Sequence, residues 1–209
     1  MNTDQSKKSK TGLKRTILEW MGIGAVLIVL YATGLHTEVI GTMQRALLWT
    51  GLLDAETQTV NTTDGPLLSE ATYNLPLTNS DGEELRLQHF KGKVLFINIW
   101  ASWCPPCVAE MPTIESLYTA VQDHKNIAFL LISVDEDQSK ATAFMEGKEF
   151  PMPYYFPDAG LPSIFQSPYI PATYVISKGG KLVYKKEGIA DYSSASFRNW
   201  MIQLSEREI

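Results

Sequence analysis

The sequence predicts an α/β domain, a central mixed β-sheet flanked by helices, preceded by an N-terminal transmembrane helix. Two short apolar runs, at 94–100 and 127–134, suit strands buried on both faces, and a helical stretch follows each of them. Strands that alternate with helices are typical of layered α/β architectures. A third observation, the long apolar stretch at 17–35, predicts the membrane span.

Composition limits the classes of function. The 209 residues include 18 Lys and Arg against 23 Asp and Glu, a formal charge of −5, with 44% hydrophobic residues and 2 Cys. Such a chain has room for one full domain with an accessory segment, and its apolar content excludes wholesale disorder. Two Cys cannot form a disulfide-rich scaffold or a four-cysteine zinc site. The acidic balance argues against binding nucleic acid through its phosphates, so we expect neither a metal nor a nucleic-acid partner.

The first 35 residues are predicted to be a basic cytoplasmic tail and a transmembrane anchor. Residues 1–16 carry five Lys or Arg and one Asp, a net charge of +4, and 17–35 contains a single charge, Glu19. As a helix, this second stretch would span about 28 Å, close to the thickness of the hydrocarbon core. Because basic flanks stay in the cytoplasm, the remaining chain is expected on the periplasmic or extracytoplasmic side of the inner membrane. A cleaved signal peptide is the alternative, and it would place the domain on the same side.

Residues 36–70 are predicted to form an amphipathic stalk helix and a linker. Ile40, Met43 and Leu47 recur at the three- and four-residue spacing of a helical stripe. That helix could lie on the membrane, dock on the folded domain or serve only as a spacer. The polar, Thr-rich stretch that follows contains Gly65-Pro66 and is typical of a linker, so the folded domain is expected to occupy 71–209.

The other elements of the domain are predicted from periodicity and turn signals. An Asn-Ser-Asp-Gly turn at 79–82 and a Lys-Gly-Gly turn at 178–180 each separate two strand-like runs, which indicates two hairpins. In chain order the predicted elements are strands at 73–78, 84–87 and 94–100, a helix to about 121, a strand at 127–134, a helix at 138–147, strands at 172–177 and 181–185, and a helix at 193–204.

Both cysteines lie in one strand-to-helix turn, Trp103-Cys104-Pro105-Pro106-Cys107. A Cys at a helix start meets unpaired N–H groups and the positive end of the helix dipole, and both favour the thiolate. The thiolate is the nucleophile of disulfide exchange, and a second Cys three residues later can resolve the mixed disulfide. We expect Cys104 to attack, because it is nearer the exposed turn, and Cys107 to be the more buried, resolving thiol.

Structural alternatives to this redox chemistry are weaker. A stapling disulfide across so short a loop would stabilise the fold by only about 2 kcal/mol. A half zinc site would need further ligands, and His36, His89 and His124 show no ligand-like spacing. The residue after Cys107 is not His, which excludes haem attachment. Reversible redox chemistry with no bound cofactor is therefore the leading interpretation.

These residues resemble a known family. The segment KGKVLFINIWASWCPPCVAEMP at 91–112, the Tyr-Ile-Pro-Ala-Thr run at 169–173 and the later Gly188 are similar to the thioredoxin superfamily, in its TlpA/ResA-like branch of membrane-tethered thiol–disulfide oxidoreductases. The resemblance covers roughly 72–204 and implies a thioredoxin-like fold. Residues 138–156 look like the helix and strand that this branch inserts into that fold.

The resemblance also implies roles for individual residues. Pro171, preceded by Ile170, matches the cis-proline whose loop lies beside the cysteines and receives the substrate backbone, although an ordinary trans proline is the alternative. Glu110, one helical turn after Cys107, would help to move a proton to or from the resolving thiol, unless it is simply a solvated helix residue. Trp103 would shield the thiols, with simple packing as its alternative.

A second implied feature is Asn98, which lies where thioredoxin itself has a buried acid. A proton-handling side chain is therefore missing at that position. Glu110 is expected to substitute for it in part.

The direction of electron flow follows from the donors around Cys104. Pro105 and Pro106 supply no backbone N–H, and Ile170 has no donor side chain, so the thiolate should be weakly stabilised. We expect a reducing potential, near the roughly −270 mV of thioredoxin rather than the roughly −120 mV of a strong oxidant.

The expected function is thus a membrane-anchored extracytoplasmic enzyme that reduces protein disulfides. The resemblance implies a membrane thiol-reducing partner as electron donor, and apocytochrome c in cytochrome c maturation as one substrate of this branch. An oxidase or isomerase of the same fold, or a tethered binding module with an inert disulfide, are the alternatives.

Overall fold

The computed structural model describes residues 20–22, 24 and 65–206. The predicted basic tail, most of the predicted anchor and most of the stalk lie outside the described residues. Residues 20–22 and 24 are helical. Within the described ranges, no helix combines the length and the apolar character needed to cross a membrane.

Seven strands form one sheet in the order β2-β1-β5-β4-β3-β6-β7. The strands are β1 (Pro76–Asn79), β2 (Glu84–Arg86), β3 (Val94–Trp100), β4 (Ile127–Ser133), β5 (Tyr154–Pro157), β6 (Ala172–Ile176) and β7 (Leu182–Glu187). Strand β3 pairs with β4 in parallel, as β4 does with β5, and the other neighbours are antiparallel. The predicted mixed sheet is confirmed.

Four α-helices accompany the sheet in the described residues: α1 (Glu70–Tyr73), α2 (Pro105–Val121), α3 (Gln138–Gly147) and α4 (Ala195–Glu206). Short 3-10 helices cover Leu87–Phe90 and Ser163–Phe165. The predicted bounds of β3 and α3 and the predicted end of α2 are confirmed. The helix and strand expected within 138–156 are present as α3 and β5.

Strand β3 is buried along all seven residues because both faces of the sheet are covered. Successive side chains of a strand point to opposite faces. Phe96 and Trp100 accordingly belong to the core cluster that contains α2 residues, and Ile97 and Ile99 to the cluster on the other face. Asn98 shares the face of Phe96 and Trp100, so the one polar side chain of β3 points towards α2.

The predicted strand at 73–78 is wrong at its start. Residues 70–73 form α1, and the strand begins only at Pro76. Ser69 is the N-cap of α1, where its hydroxyl accepts a hydrogen bond from the Thr72 amide at 3.1 Å, and Glu70 adds an acid to the first turn. Both features stabilise a helix start, and they outweigh the alternating pattern.

The predicted linker joins the domain earlier than residue 71. Leu67 forms a β-bridge with Lys181, and the Leu68 amide donates to the Gly180 carbonyl at 2.8 Å. The Leu182 amide in turn donates to the Pro66 carbonyl at 3.0 Å, and Leu68 is buried. Residues 66–68 therefore extend the sheet beside the start of β7.

Candidate active site

The two cysteines form a disulfide at the junction of β3 and α2, with their Cα atoms 5.3 Å apart. Cys104 is the N-cap of α2, and Pro105 and Pro106 occupy the first positions of the helix. Proline is tolerated there because the first amides of a helix have no partner within it. Cys104 is 4% exposed and Cys107 is fully buried, so Cys104 is the more accessible sulfur.

The Cys104 sulfur faces one donor and one acceptor. Its Sγ accepts a hydrogen bond from the Cys107 amide at 3.3 Å, and it lies 3.7 Å from the Ile170 carbonyl oxygen. The two prolines supply no amide, as expected, but the amide directly after them does. The turn therefore provides one local donor to the Cys104 sulfur in spite of the two prolines.

The loop before β6 brings Ile170 to this sulfur. Strand β6 begins at Ala172, which is paired with Ile99 near the end of β3, so the residues just before it lie beside the Cys104 turn. The Ile170–Pro171 peptide bond is cis, which confirms that prediction. The Gly188 amide donates to the Pro171 carbonyl at 2.8 Å, and Gly188 has a φ of 80° that favours glycine.

Two exposed aromatic residues are next in sequence to the residues that meet at this sulfur. Trp103, next to Cys104, is 59% exposed, and Tyr169, next to Ile170, is 67% exposed. Large aromatic side chains are usually buried in monomeric domains, so two exposed ones in the segments that carry Cys104 and Ile170 are candidates for contact with a partner. Trp103 was predicted as a site residue from the sequence, whereas the exposed side chain of Tyr169 was not. The aromatic residue directly before the Ile-Pro pair was the available signal.

Glu110 lies on the opposite, inner side of the disulfide and is fully buried. Its Oε1 accepts a hydrogen bond from Asn98 Nδ2 at 2.8 Å, and its Oε2 accepts one from the Ala190 amide at 3.2 Å. Asn98 Nδ2 also donates to Thr173 Oγ1 at 2.9 Å. Burial raises the pKa of Glu110 to about 8, although both hydrogen bonds act to lower it. These contacts exclude a solvated helix residue.

The Redoxin family matches residues 58–197, about two thirds of the chain. The chain belongs to the Redoxin family. The match includes the disulfide turn, the cis-proline and the buried Glu110.

The redoxin's curated relatives include proteins called thiol-disulfide oxidoreductase ResA. The one from Geobacillus thermodenitrificans is 34% identical over 108 residues, 51% of this chain and 61% of the relative. The one from Bacillus thuringiensis subsp. konkukian is 28% identical over 116 residues, 55% of this chain and 66% of the relative. The matched stretch thus spans less than two thirds of each relative. The chain is a ResA-like member of the thioredoxin superfamily.

A solved structure shows the fold. The chain superimposes with a TM-score of 0.56 and 18% identity on a Chlorobium tepidum protein described as a thiol:disulfide interchange protein DsbE. The superposition covers 69% of this chain and 99% of that chain. The thioredoxin-like fold expected from the sequence is confirmed.

The redoxin's predicted site residues divide into two groups. Trp103, Cys104, Ile170 and Pro171 meet at the end of β3, whereas Glu110 lies behind Cys107 in the core. In the part of the chain that the structure describes, no three His, Cys, Asp or Glu side chains are arranged to hold a metal ion.

Proposed function

We propose that this protein is a membrane-anchored, extracytoplasmic thiol–disulfide oxidoreductase that reduces protein disulfides through Cys104 and Cys107. The proposal rests on one observation. The Cys104–Cys107 disulfide lies at the N-terminus of α2, and the Cys104 sulfur lies 3.7 Å from the carbonyl oxygen of Ile170, the residue before the cis-proline. Relatives named thiol-disulfide oxidoreductase ResA support the same chemistry.

The reaction begins from the dithiol form. The Cys104 thiolate attacks one sulfur of the substrate disulfide, and the other substrate sulfur leaves as a thiolate. The Cys107 thiolate then attacks Cys104 Sγ in the mixed disulfide and releases the second substrate sulfur. Two electrons pass to the substrate, which ends as two thiols, and the protein ends with the disulfide present in the structure.

The turn divides the labour between the two sulfurs. Cys104 is the accessible one, and its thiolate would be stabilised by the Cys107 amide at 3.3 Å and by the positive end of α2. Cys107 is fully buried, so it reacts only after the mixed disulfide has formed, by attack on Cys104 Sγ. We assign attack to Cys104 and resolution to Cys107.

Glu110 would exchange the proton of the resolving thiol. It lies one helical turn after Cys107, a spacing that places two side chains on the same helix face. Its pKa of about 8 is close to the 8.5 of an ordinary thiol, and proton exchange is most effective between groups of similar pKa. As a carboxylate it accepts the Cys107 proton, and as an acid it returns one.

The substrate would lie across the exposed aromatic surface. Trp103 and Tyr169 offer exposed apolar area next in sequence to Cys104 and Ile170, and the Ile170 carbonyl oxygen lies 3.7 Å from the Cys104 sulfur. An extended segment that contains a disulfide could therefore place its sulfur in line with Cys104. Such a surface would select substrates by shape and apolar contact and not by recognition of one particular side chain. This kind of selection is typical of contact with another protein.

The cellular setting extends the proposal. Residues 1–16 would be the cytoplasmic tail, 17–35 the anchor, 36–70 the stalk and linker, and 71–209 the catalytic domain on the outer side. A membrane thiol-reducing partner would reduce the Cys104–Cys107 disulfide after each turnover, because nothing outside the cytoplasm holds thiols reduced as the cytosol does. Apocytochrome c, in cytochrome c maturation, is the substrate we propose first.

The test is insulin reduction by the full chain in detergent, with dithiothreitol as the electron source. The proposal expects catalysis by the wild-type protein and background rates for Cys104→Ser. Equal rates in the two proteins would refute the reductase and favour the alternative of a tethered binding module with an inert disulfide. An equilibrium with glutathione that gives a potential above about −180 mV would favour an oxidase or isomerase instead. Release of the protein from membranes at high pH would refute the anchor.

A further inference from the structure

Asp135 is a nearly buried carboxylate that the proposed reaction does not use. It lies two residues past the end of β4 and is 8% exposed. Its Oδ2 accepts hydrogen bonds from the Ser102 amide at 2.9 Å and the Ser133 hydroxyl at 2.8 Å, and its Oδ1 accepts one from the Ser102 hydroxyl at 2.6 Å. Three donors on one carboxylate offset much of the cost of burying it.

Ser102 belongs to the turn that carries the attacking sulfur. The turn runs from the end of β3 to the N-cap Cys104 and contains the exposed Trp103. Within the turn, the Cys104 amide donates to the Ala101 carbonyl at 3.2 Å, at the long end of the usual range. Asp135 ties the turn to the neighbouring strand through both the backbone and the side chain of Ser102.

This contact matters most when the disulfide is open. In the disulfide form, the bond between the two sulfurs itself holds Cys104 against α2. In the dithiol form that bond is gone, and the non-covalent contacts of the turn must keep the Cys104 sulfur near the Cys107 amide. A contact that stabilises one form more than the other shifts the equilibrium between them by that difference.

We propose that Asp135 is a positioning residue that holds the Ser102–Cys104 turn in the dithiol form and thereby favours the reduced protein. It acts on the sulfur through Ser102. The inference rests on the proposed function only in that the Cys104–Cys107 pair passes between a disulfide and a dithiol.

The experiment is the redox equilibrium of the full chain in detergent with glutathione. Two glutathione thiols give two electrons and two protons to the Cys104–Cys107 disulfide, and they leave joined as one glutathione disulfide. Asp135→Ala is expected to lower the equilibrium constant for reduction about tenfold. Both forms lose these hydrogen bonds, but the S–S bond still holds the turn in the disulfide form, so the loss destabilises the dithiol form more. Asp135→Asn keeps one acceptor oxygen and should recover part of that loss.

Two further variants make the result specific. Asp137 lies in the same loop as Asp135 and is the N-cap of α3. Its carboxylate accepts hydrogen bonds from the Ser139 amide at 3.1 Å and from the Ser139 hydroxyl at 2.6 Å. Asp137→Ala should weaken the disulfide and dithiol forms equally and leave the constant unchanged. Ser102→Ala removes one donor from the turn without altering any charge, and it should move the constant in the same direction as Asp135→Ala.

Three results would overturn the proposal. These are an unchanged constant in Asp135→Ala, an equal change in Asp137→Ala, and a shift towards the dithiol. The last would mean that the carboxylate acts through its negative charge, which opposes the thiolate, rather than by holding the turn. If Asp135→Ala does not fold, Ser102→Ala and Asp135→Asn decide the question by the same measurement.

The proposed function fails separately. A wild-type protein that equilibrates with glutathione but does not reduce insulin refutes the reductase and leaves the Asp135 comparison intact. A reductase whose equilibrium is indifferent to Asp135 refutes only the positioning role.

Discussion

The two sides of the disulfide differ in almost every physical property. On the outer side, Trp103 and Tyr169 are exposed, and Cys104 is the more accessible of the two sulfurs. On the inner side, Asn98 and Glu110 are fully buried in a hydrogen-bonded group behind Cys107. The difference teaches how one short turn can serve two tasks. In the proposed mechanism, the exposed apolar side chains contact other proteins, and the buried polar group exchanges the proton of Cys107.

The largest effect should come from separating the two sulfurs. Cys104→Ser and Cys107→Ser should both lose insulin reduction, but only Cys107→Ser, which keeps the outer nucleophile, should accumulate mixed disulfides with substrate proteins. Non-reducing gels after acid trapping measure those adducts. Adducts formed equally by both variants would show that the outer and inner sulfurs are not distinguished. Identifying the trapped proteins would also test apocytochrome c as substrate.

The inner side should make stability fall as the pH rises. Glu110 has a folded-state pKa of about 8, well above the 4.5 of an exposed Glu, so between these values the folded protein holds a proton that the unfolded chain releases. Between pH 5 and pH 8 this should cost the disulfide form about 3 kcal/mol of unfolding free energy. Glu110→Gln has no such proton, so its stability should vary less over this range. Denaturant unfolding of both proteins at the two pH values measures the difference.

The same side should set the pH dependence of turnover. Above pH 8 Glu110 is a carboxylate that can accept the Cys107 proton, and below pH 8 it is the neutral acid, so the wild-type rate should rise through this pH. Glu110→Gln should be slower by about 100-fold at pH 9, the usual size of a lost acid–base catalyst, and should lack that rise. A profile of kcat against pH from 6 to 9.5 shows this. Superimposable profiles would remove Glu110 from the mechanism.

The outer side should affect substrate binding with a smaller effect. Trp103→Ala and Tyr169→Ala should each raise KM for a protein disulfide about threefold to tenfold at unchanged kcat. Each removes apolar contact area whose burial contributes about 1 kcal/mol to substrate binding. Leu67→Ala is the matched control. Leu67 is also exposed, at 62%, but it pairs with Lys181, directly before β7 and away from the disulfide. A loss of kcat in the aromatic variants, or an equal rise of KM in the control, would contradict a binding role.

Much of the fold could be predicted because local and tertiary signals agree. Strand β3 is apolar at six of its seven positions, which is possible only for a strand covered on both faces, and its predicted bounds are those observed. At α1 the signals conflict. Tyr73 continues an alternating run, but the cap at Ser69 draws the preceding residues into a helix. Alternation over six residues is weaker than a satisfied helix start.

The site was predictable where it lies in one turn and less so where distant segments meet. Cys104 and Cys107 are three residues apart in one turn, and the cis-proline followed from the family resemblance. The burial of Glu110 depends on Ala190, 80 residues away, and on Asn98, neither of which shows its contact in the sequence. A partial signal existed, because Asn98 is the polar residue on the face of β3 that α2 covers. Asp135 was missed because its partner Ser102 is 33 residues earlier in the chain.

The pairing of residues 66–68 with the start of β7 fixes where the chain enters the domain. Leu182 is level with Ile176, and Ile176 is level with Leu95 at the start of β3. The disulfide follows the end of β3, about 20 Å further along the sheet. Residues 66–68 and the Cys104–Cys107 disulfide therefore lie at opposite ends of the domain. In the proposed reaction, an electron donor and a substrate would both reach the disulfide at the end of the domain away from residues 66–68.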